Sequence, residues 1–231
     1  MPKRHSPHGD PNTFHWNPKA AGLDGKAFTA DTIDVVGNLT DVPQSDGTHL
    51  VDRIEQITGF SLHGHAVTPA GFGTNYGLYF EFVDHNTGDF PPTFLSVDMT
   101  LKADPGNHNG PVVSDTSQTG FTNTGPTGQA DDIVLAHGSL VNGMLFLDDT
   151  TTPPNLNATE SETFTPDIAE FFNGGSDLIK GLASNPVTLL TMTEVPDVGT
   201  VTNFNNFAGQ WQFAADRPSH GHDIASGHDG G

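Results

Sequence analysis

Two nine-residue segments constrain this chain more than anything else in it. In YGLYFEFVD (76–84), Tyr76, Leu78, Phe80 and Phe82 recur at every second position. In FLSVDMTLK (94–102), Leu95, Val97, Met99 and Leu101 do the same, with Ser96, Asp98, Thr100 and Lys102 between them. Successive side chains of a strand point to opposite faces, so this alternation describes two half-buried strands. The stretch between them, DHNTGDFPP (84–92), carries the Asn-Thr-Gly-Asp chemistry of a turn. The pair is read as an antiparallel hairpin.

The same reading extends, less regularly, to 27–36, 53–58, 60–67, 132–138, 139–147, 187–195, 199–207 and 210–215, with turn signals between most of them. The 27 glycines and 17 prolines, and the dominance of Asp over Glu (22 to 6), fit many short strands joined by turns rather than helices. The expected fold is all-β, an antiparallel β-sandwich of jelly-roll-like character, with at most one or two short helical turns. In TPDIAEFF (165–172), Thr165 as N-cap and Pro166 at the first helical position predict one such turn, although the segment also reads as a strand. SDLIKGLA (176–183) could add another. Residues 1–22, polar and rich in His and Pro, are expected to form a flexible arm. A single domain is expected over 23–215, and the acidic, His-rich 216–231 is expected to be disordered. Residues 103–130 form a long polar excursion of the kind often tied to function.

Charge narrows the partners. With 28 acidic against 8 basic residues the chain carries −20, which repels phosphate backbones and anionic lipid surfaces. Nucleic-acid binding is therefore excluded as an expectation. No run reaches the roughly 18 apolar residues of a membrane helix, so membrane insertion is not expected. The first residues have a basic start but no apolar h-region, which leaves the export route unspecified. The absence of cysteine removes disulfides, thiolate zinc sites and a Cys nucleophile.

Three patterns bear on chemistry. His63-Gly64-His65, on an uninterrupted strand, would place two imidazoles on one side, half of a transition-metal site. Cupin barrels use such a pair with a nearby Glu and a later His; here Glu81 and His137 are the remaining candidates. No Glu follows within HGHAVTPAGFG, so the cupin pattern is broken at its second ligand, and the pair reads better as a solvated strand face. Asp131-Asp132 and Asp148-Asp149 flank a predicted hairpin and are candidate Ca²⁺ ligands. The tail histidines His220, His222 and His228 form a loose metal-binding tract or a spacer. No G-x-S-x-G elbow, Ser-x-x-Lys, His-Glu-x-x-His, Walker A loop or G-x-G-x-x-G occurs, so no catalytic residue or organic cofactor is assigned.

The segments FHWNPKAAGLDGKAFTADTIDV (14–35), ITGFSLHGHAV with FGTNYGLYFEF (57–82) and LAHGSLVNG (135–143) resemble the flocculation-associated secreted bacterial proteins that usually carry a PEP-CTERM sorting tail. The resemblance implies an extracellular or cell-surface location and a structural role in the matrix of flocs or biofilm. It implies no catalytic residues. The sorting signature of Pro-Glu-Pro, apolar helix and basic end has no counterpart in 216–231, so that mode of anchoring is not carried over. The leading expectation is a non-enzymatic matrix protein that self-associates by strand exchange or binds other matrix components. The alternatives are a cupin-like metal-dependent enzyme built on His63 and His65, and a calcium-bridged adhesin.

Overall fold

A computed structural model describes residues 13–89, 92–109, 129–148, 155–172, 189–195 and 207–214. Within them the chain is antiparallel β throughout, as expected, and its helical content is three single 3₁₀ turns, at Pro18–Ala21, Gln129–Asp131 and Ala169–Phe171. Two short strands, β1 (Phe14–Trp16) and β2 (Phe28–Ala30), pair with each other. The remaining strands are β3 (Thr32–Pro43), β4 (Thr48–Leu62), β5 (His65–Val67), β6 (Tyr76–Thr87), β7 (Phe94–Pro105), β8 (Ile133–Asp148), β9 (Asn155–Pro166), β10 (Leu189–Val195) and β11 (Phe207–Ala214).

These nine form one sheet, in the order β3-β11-β10-β9-β8-β7-β6-β4-β5. Because β3 also pairs with β4, the sheet curls until eight strands close a ring, with β5 a short flap on the end of β4. The two halves of the curled sheet face each other across one interior, as the layers of a sandwich do. Neighbours in the ring are neighbours in sequence, apart from the closing β3–β11 pair and the step over β5. Closure satisfies the backbone groups that open sheet edges would expose.

The 76–102 hairpin forms with Tyr76, Leu78, Phe80 and Phe82 facing Val97, Met99, Leu101 and Ala103, all buried. Leu95, expected on the same face, is instead 52% exposed. A register shift pairs His85 with Ser96 and Asn86 with Phe94, and this bulge turns Leu95 out and brings Phe94 against the core. Bulges also explain why longer strands read as two. The segments 53–58 and 60–62 are one strand, β4, in which a shift opposite Asp34/Val35 sets Gly59 against Asp34. A side chain at Gly59 would lie 2.9 Å from the Asp34 carboxylate. The segments 132–138 and 139–147 likewise belong to one strand, β8, not a hairpin. Gly138 is there for space: a Cβ would stand 2.3 Å from both Met99 Cε and the Thr163 carbonyl.

One end of the ring is capped, and the cap overturns part of the expected arm. Residues 1–12 lie outside the described residues, but 13–22 are packed, with Phe14 and Trp16 buried. Alternation in Phe14-His15-Trp16 sends both aromatics inward, while His15 Nδ1 meets Thr29 Oγ1 at 2.9 Å. Trp16 stacks on Phe28 at 5.9 Å and meets Phe60, Phe171 and Phe172 edge-on or tilted at 5.3–5.8 Å. The Asn17 N–H donates to the Phe171 carbonyl at 2.5 Å. Phe171 and Phe172 belong to the turn predicted at 165–172: Thr165 and Pro166 end β9, and the helical part is a single 3₁₀ turn. The proposed turn at 176–183 and the tail 216–231 lie outside the described residues. At the other end of the ring stand the hairpin loop 44–47, the end of β6 and the start of β7.

Candidate functional site

The His-x-His motif is a turn, and the geometry separates its two imidazoles. Leu62 pairs with His65, leaving His63 and Gly64 as a two-residue hairpin loop with φ of 52° and 76°. Positive φ at both loop positions is the signature of a type I′ turn, whose twist matches the flanking strands. The alternation that would put both histidines on one face is broken between them. His63 is exposed, its N–H donates to Asp31 Oδ2 at 2.7 Å, and its Nδ1 lies 3.3 Å from the same oxygen. His65 is exposed on β5.

The other candidate metal ligands are elsewhere. Glu81 pairs across the sheet with Ile54, nine residues before His63 on β4, a separation of about 30 Å along the strand. Its carboxylate is held by Lys102 Nζ at 2.5 Å and by Gln129 Nε2 at 3.1 Å. His137 shares a cross-strand row with Thr100 and Glu81, two strands from the latter, and lies 3.4 Å from Asp167. Asp131 is exposed in the second 3₁₀ turn, whereas Asp132 accepts the Tyr79 hydroxyl and both contacts of Asn109 Nδ2 at 3.1 Å. Asp148 ends β8, about 50 Å along the strand from them, so it does not share a clamp with Asp131 and Asp132; Asp149 lies outside the described residues. Among the described residues no three His, Cys, Asp or Glu converge on a metal position. Among the described residues, neither the cupin-like set nor the calcium set is assembled.

A buried polar group inside the ring was not anticipated. Arg53, Glu55, Asp84 and Asn86 are each 6% exposed or less. Arg53 and Glu55 alternate with Val51 and Ile57 on the inner face of β4; Asp84 and Asn86 continue the inner face of β6 beyond Phe82. The guanidinium stands between two carboxylates, with Nη1 3.5 Å from Glu55 Oε1 and Nε 3.3 Å from Asp84 Oδ2. Its carbon lies 4.1 Å from the centre of the Phe82 ring, and Phe82 in turn stacks on Trp211 at 5.6 Å and 6°. Trp211 Nε1 donates to Glu55 Oε2 at 2.6 Å, tying the last strand of the ring to β4. Burying a carboxylate without a counter-charge is costly, and here Arg53 supplies the charge while Phe82 gives its guanidinium an aromatic platform. The signal was present in the sequence: alternation carried past Phe82 puts Asp84 and Asn86 on the apolar parity, and VDRIEQI puts Arg53 and Glu55 there too.

On the outside, a second network pins the base of the 103–130 excursion to the wall. Asp104 accepts the N–H groups of His108 and Asn109 at 3.0 and 2.8 Å. Asn109 joins Tyr79 on Asp132, while Lys102 sits over the Tyr79 ring at 6.0 Å. Comparison with protein-family models, with curated proteins and with solved structures finds no match to this chain.

Proposed function

We propose that the protein is a non-enzymatic component of a bacterial surface or extracellular matrix, acting through its exterior. The observation that carries this reading is the packing of the interior. Phe80, Phe82, Met99, Leu101 and Trp211 fill it together with the paired Arg53 and Glu55, each 3% exposed or less. Side chains occupy the space in which a barrel of this size would otherwise hold one small ligand. The exterior is acidic and open, with Asp52, Thr58, Asp98, His137 and Ser139 exposed along β4, β7 and β8. The resemblance of 14–35, 57–82 and 135–143 to flocculation-associated proteins supports the same reading. No described helix is long and apolar enough to cross a membrane.

Ring closure changes the expected mode of self-association. Strand exchange needs a free edge, and ring closure pairs each of the eight strands on both sides over part of its length, leaving among the described residues one-sided stretches such as Asn38–Pro43 of β3 and Leu140–Asp148 of β8. Copies carrying −20 also repel one another. Assembly is accordingly assigned to bridging of acidic exteriors by cations or cationic matrix polymers. The test is fractionation of the producing bacterium, with cell sedimentation measured in the presence and absence of the protein. We expect it in the surface or extracellular fraction, with weaker aggregation when it is missing. Recovery only from the cytosol of intact cells, or unchanged aggregation, would overturn the reading.

A further inference from the structure

Two β-bulges in adjacent strands turn apolar side chains out of the ring. The shift between β6 and β7 pairs His85 with Ser96 and Asn86 with Phe94, leaving Leu95 as the extra residue. The shift between β8 and β9 pairs Leu140 with Glu162 and Asn142 with Ser161, leaving Val141 as the extra residue. Both are 52% exposed. They lie side by side. Asp98 of β7 pairs with Ser139 of β8, and Leu95 and Val141 stand three and two residues further toward the same end of the ring. A bulge interrupts the ladder, and an aliphatic side chain left in water forgoes burial. Neighbouring strands that accept both penalties at one place mark an outward surface with a use.

Leu95 and Val141 continue a row that crosses five strands. Val42 of β3 pairs with Leu50 of β4, Leu50 with His85 of β6, and His85 with Ser96 of β7, next to Leu95. The adjoining row, two residues along each strand, runs Asp52, Val83, Asp98 and Ser139, all exposed. Val42, Val83, Leu95 and Val141 are four of the six large hydrophobic residues that stand exposed among the described residues, and they fall within two neighbouring rows rather than scattering singly. The row from β3 to β8 spans about 19 Å at about 4.8 Å per strand, the length of a helix of about thirteen residues. Charge selects what can cover it. Asp52 and Asp98 flank Val83, so a second copy would bring the same carboxylates, and a net charge of −20, against them. An anionic lipid surface is repelled in the same way. A partner with lysine or arginine beside an apolar stripe matches both rows.

We infer that this outer face of β3, β4, β6, β7 and β8 docks an amphipathic, cationic segment of a partner protein. The apolar stripe of the segment lies on Val42, Leu50, Leu95 and Val141, and its basic residues meet Asp52 and Asp98. The inference rests on the matrix reading for the kind of partner, a cationic matrix component. Docking is nevertheless measured on the purified chain, so its failure and a failure of the cellular fractionation are separate results.

The test uses the full chain at about 0.15 M salt. It is titrated calorimetrically with a peptide of about fourteen leucines and lysines patterned as an amphipathic helix, and with a scrambled isomer of the same composition. We expect saturable one-to-one binding of the patterned peptide, and binding of the isomer roughly tenfold weaker or less. Leu95→Ser combined with Val141→Ser should weaken binding roughly tenfold or more, with circular dichroism unchanged. Asp52→Asn combined with Asp98→Asn should weaken it roughly threefold or more and reduce its salt dependence. Asp131→Asn combined with Glu170→Gln removes the same charge at exposed positions toward the capped end, and should leave binding unchanged. Leu95→Lys sets a like charge against the peptide at an exposed position; it should abolish binding, and it keeps the test decisive if the serine pair disturbs the fold. Equal binding of the isomer, or equal losses in the two charge-removing pairs, would reveal unspecific condensation on an acidic chain and overturn the site. Indifference to the Leu95 and Val141 substitutions would overturn it too. Dimers in sedimentation that Leu95→Lys dissolves would assign the face to a second copy instead.

Discussion

Tyr76 and Tyr79 are the chain's two tyrosines, and they face opposite sides of β6. Tyr76 points into the core, where its hydroxyl is buried without a hydrogen-bond partner among the described residues; burial pushes its pKa from 10.0 up to about 12. Tyr79 points outward beneath the loop base. Burial, and then its bond to Asp132, pushes its pKa well above the ordinary value. A phenol whose pKa is raised by folding stabilises the native state fully below the unfolded value, and the stabilisation is lost as pH climbs through the folded one. We therefore expect no tyrosinate absorbance from the folded protein as pH passes 10.0, then its appearance together with loss of near-ultraviolet dichroism. A tyrosine titrating at its ordinary value in folded protein would contradict this. The two phenylalanine variants should also differ. Tyr79→Phe strands part of Asp132's bonding and should cost about 1.5–3 kcal/mol by denaturant unfolding, whereas Tyr76→Phe removes an unmet hydroxyl and should be neutral or stabilising.

At the scale of elements, the β1–β2 ribbon and the third 3₁₀ turn form the cap, and Trp16 is its centre. Trp16→Ala should lower stability by about 3–5 kcal/mol in urea titration, with the ring strands remaining the last structure to melt. A change under 1 kcal/mol would show the N-terminal ribbon to be dispensable. Within the ring, Arg53 works as a unit with Glu55 and Asp84, so the variants should be strongly non-additive. Arg53→Met alone removes the counter-charge from two buried carboxylates and should cost about 3–5 kcal/mol, whereas replacing all three residues with apolar ones of similar volume should cost far less. Equal losses in the single and triple variants would argue against a mutually compensating cluster.

For the whole molecule, a net charge of −20 on a closed ring means self-repulsion at low ionic strength. The screening length falls from about 30 Å at 0.01 M salt to about 8 Å at 0.15 M. The melting temperature should therefore rise over that range with monovalent salt alone. Divalent ions at equal ionic strength should add little, because no convergent acidic site is assembled among the described residues. A large, saturable rise specific to calcium would restore a dedicated site.

The sequence by itself determined the secondary-structure class and one face of each strong strand. Alternation in 76–82 and 97–101 reports directly which side chains leave water, and Gly, Pro and Asp mark where the backbone reverses. It did not determine what a glycine is for. Gly64 makes a turn, Gly59 permits a bulge against Asp34 and Gly138 gives way to Met99 and Thr163, yet all three interrupt the pattern alike. Hence a strand was divided twice, and the His63–His65 pair was placed on a face that a type I′ turn removes. Tertiary structure alone decided that β3 meets both β4 and β11, that the N-terminal aromatics close one end, and that Arg53, Glu55 and Asp84 share the interior. These are contacts between residues up to 180 positions apart, as between Thr32 and Gln212 in the closing β3–β11 pair. Local periodicity carries no information about which distant strand will supply the opposing charge or ring.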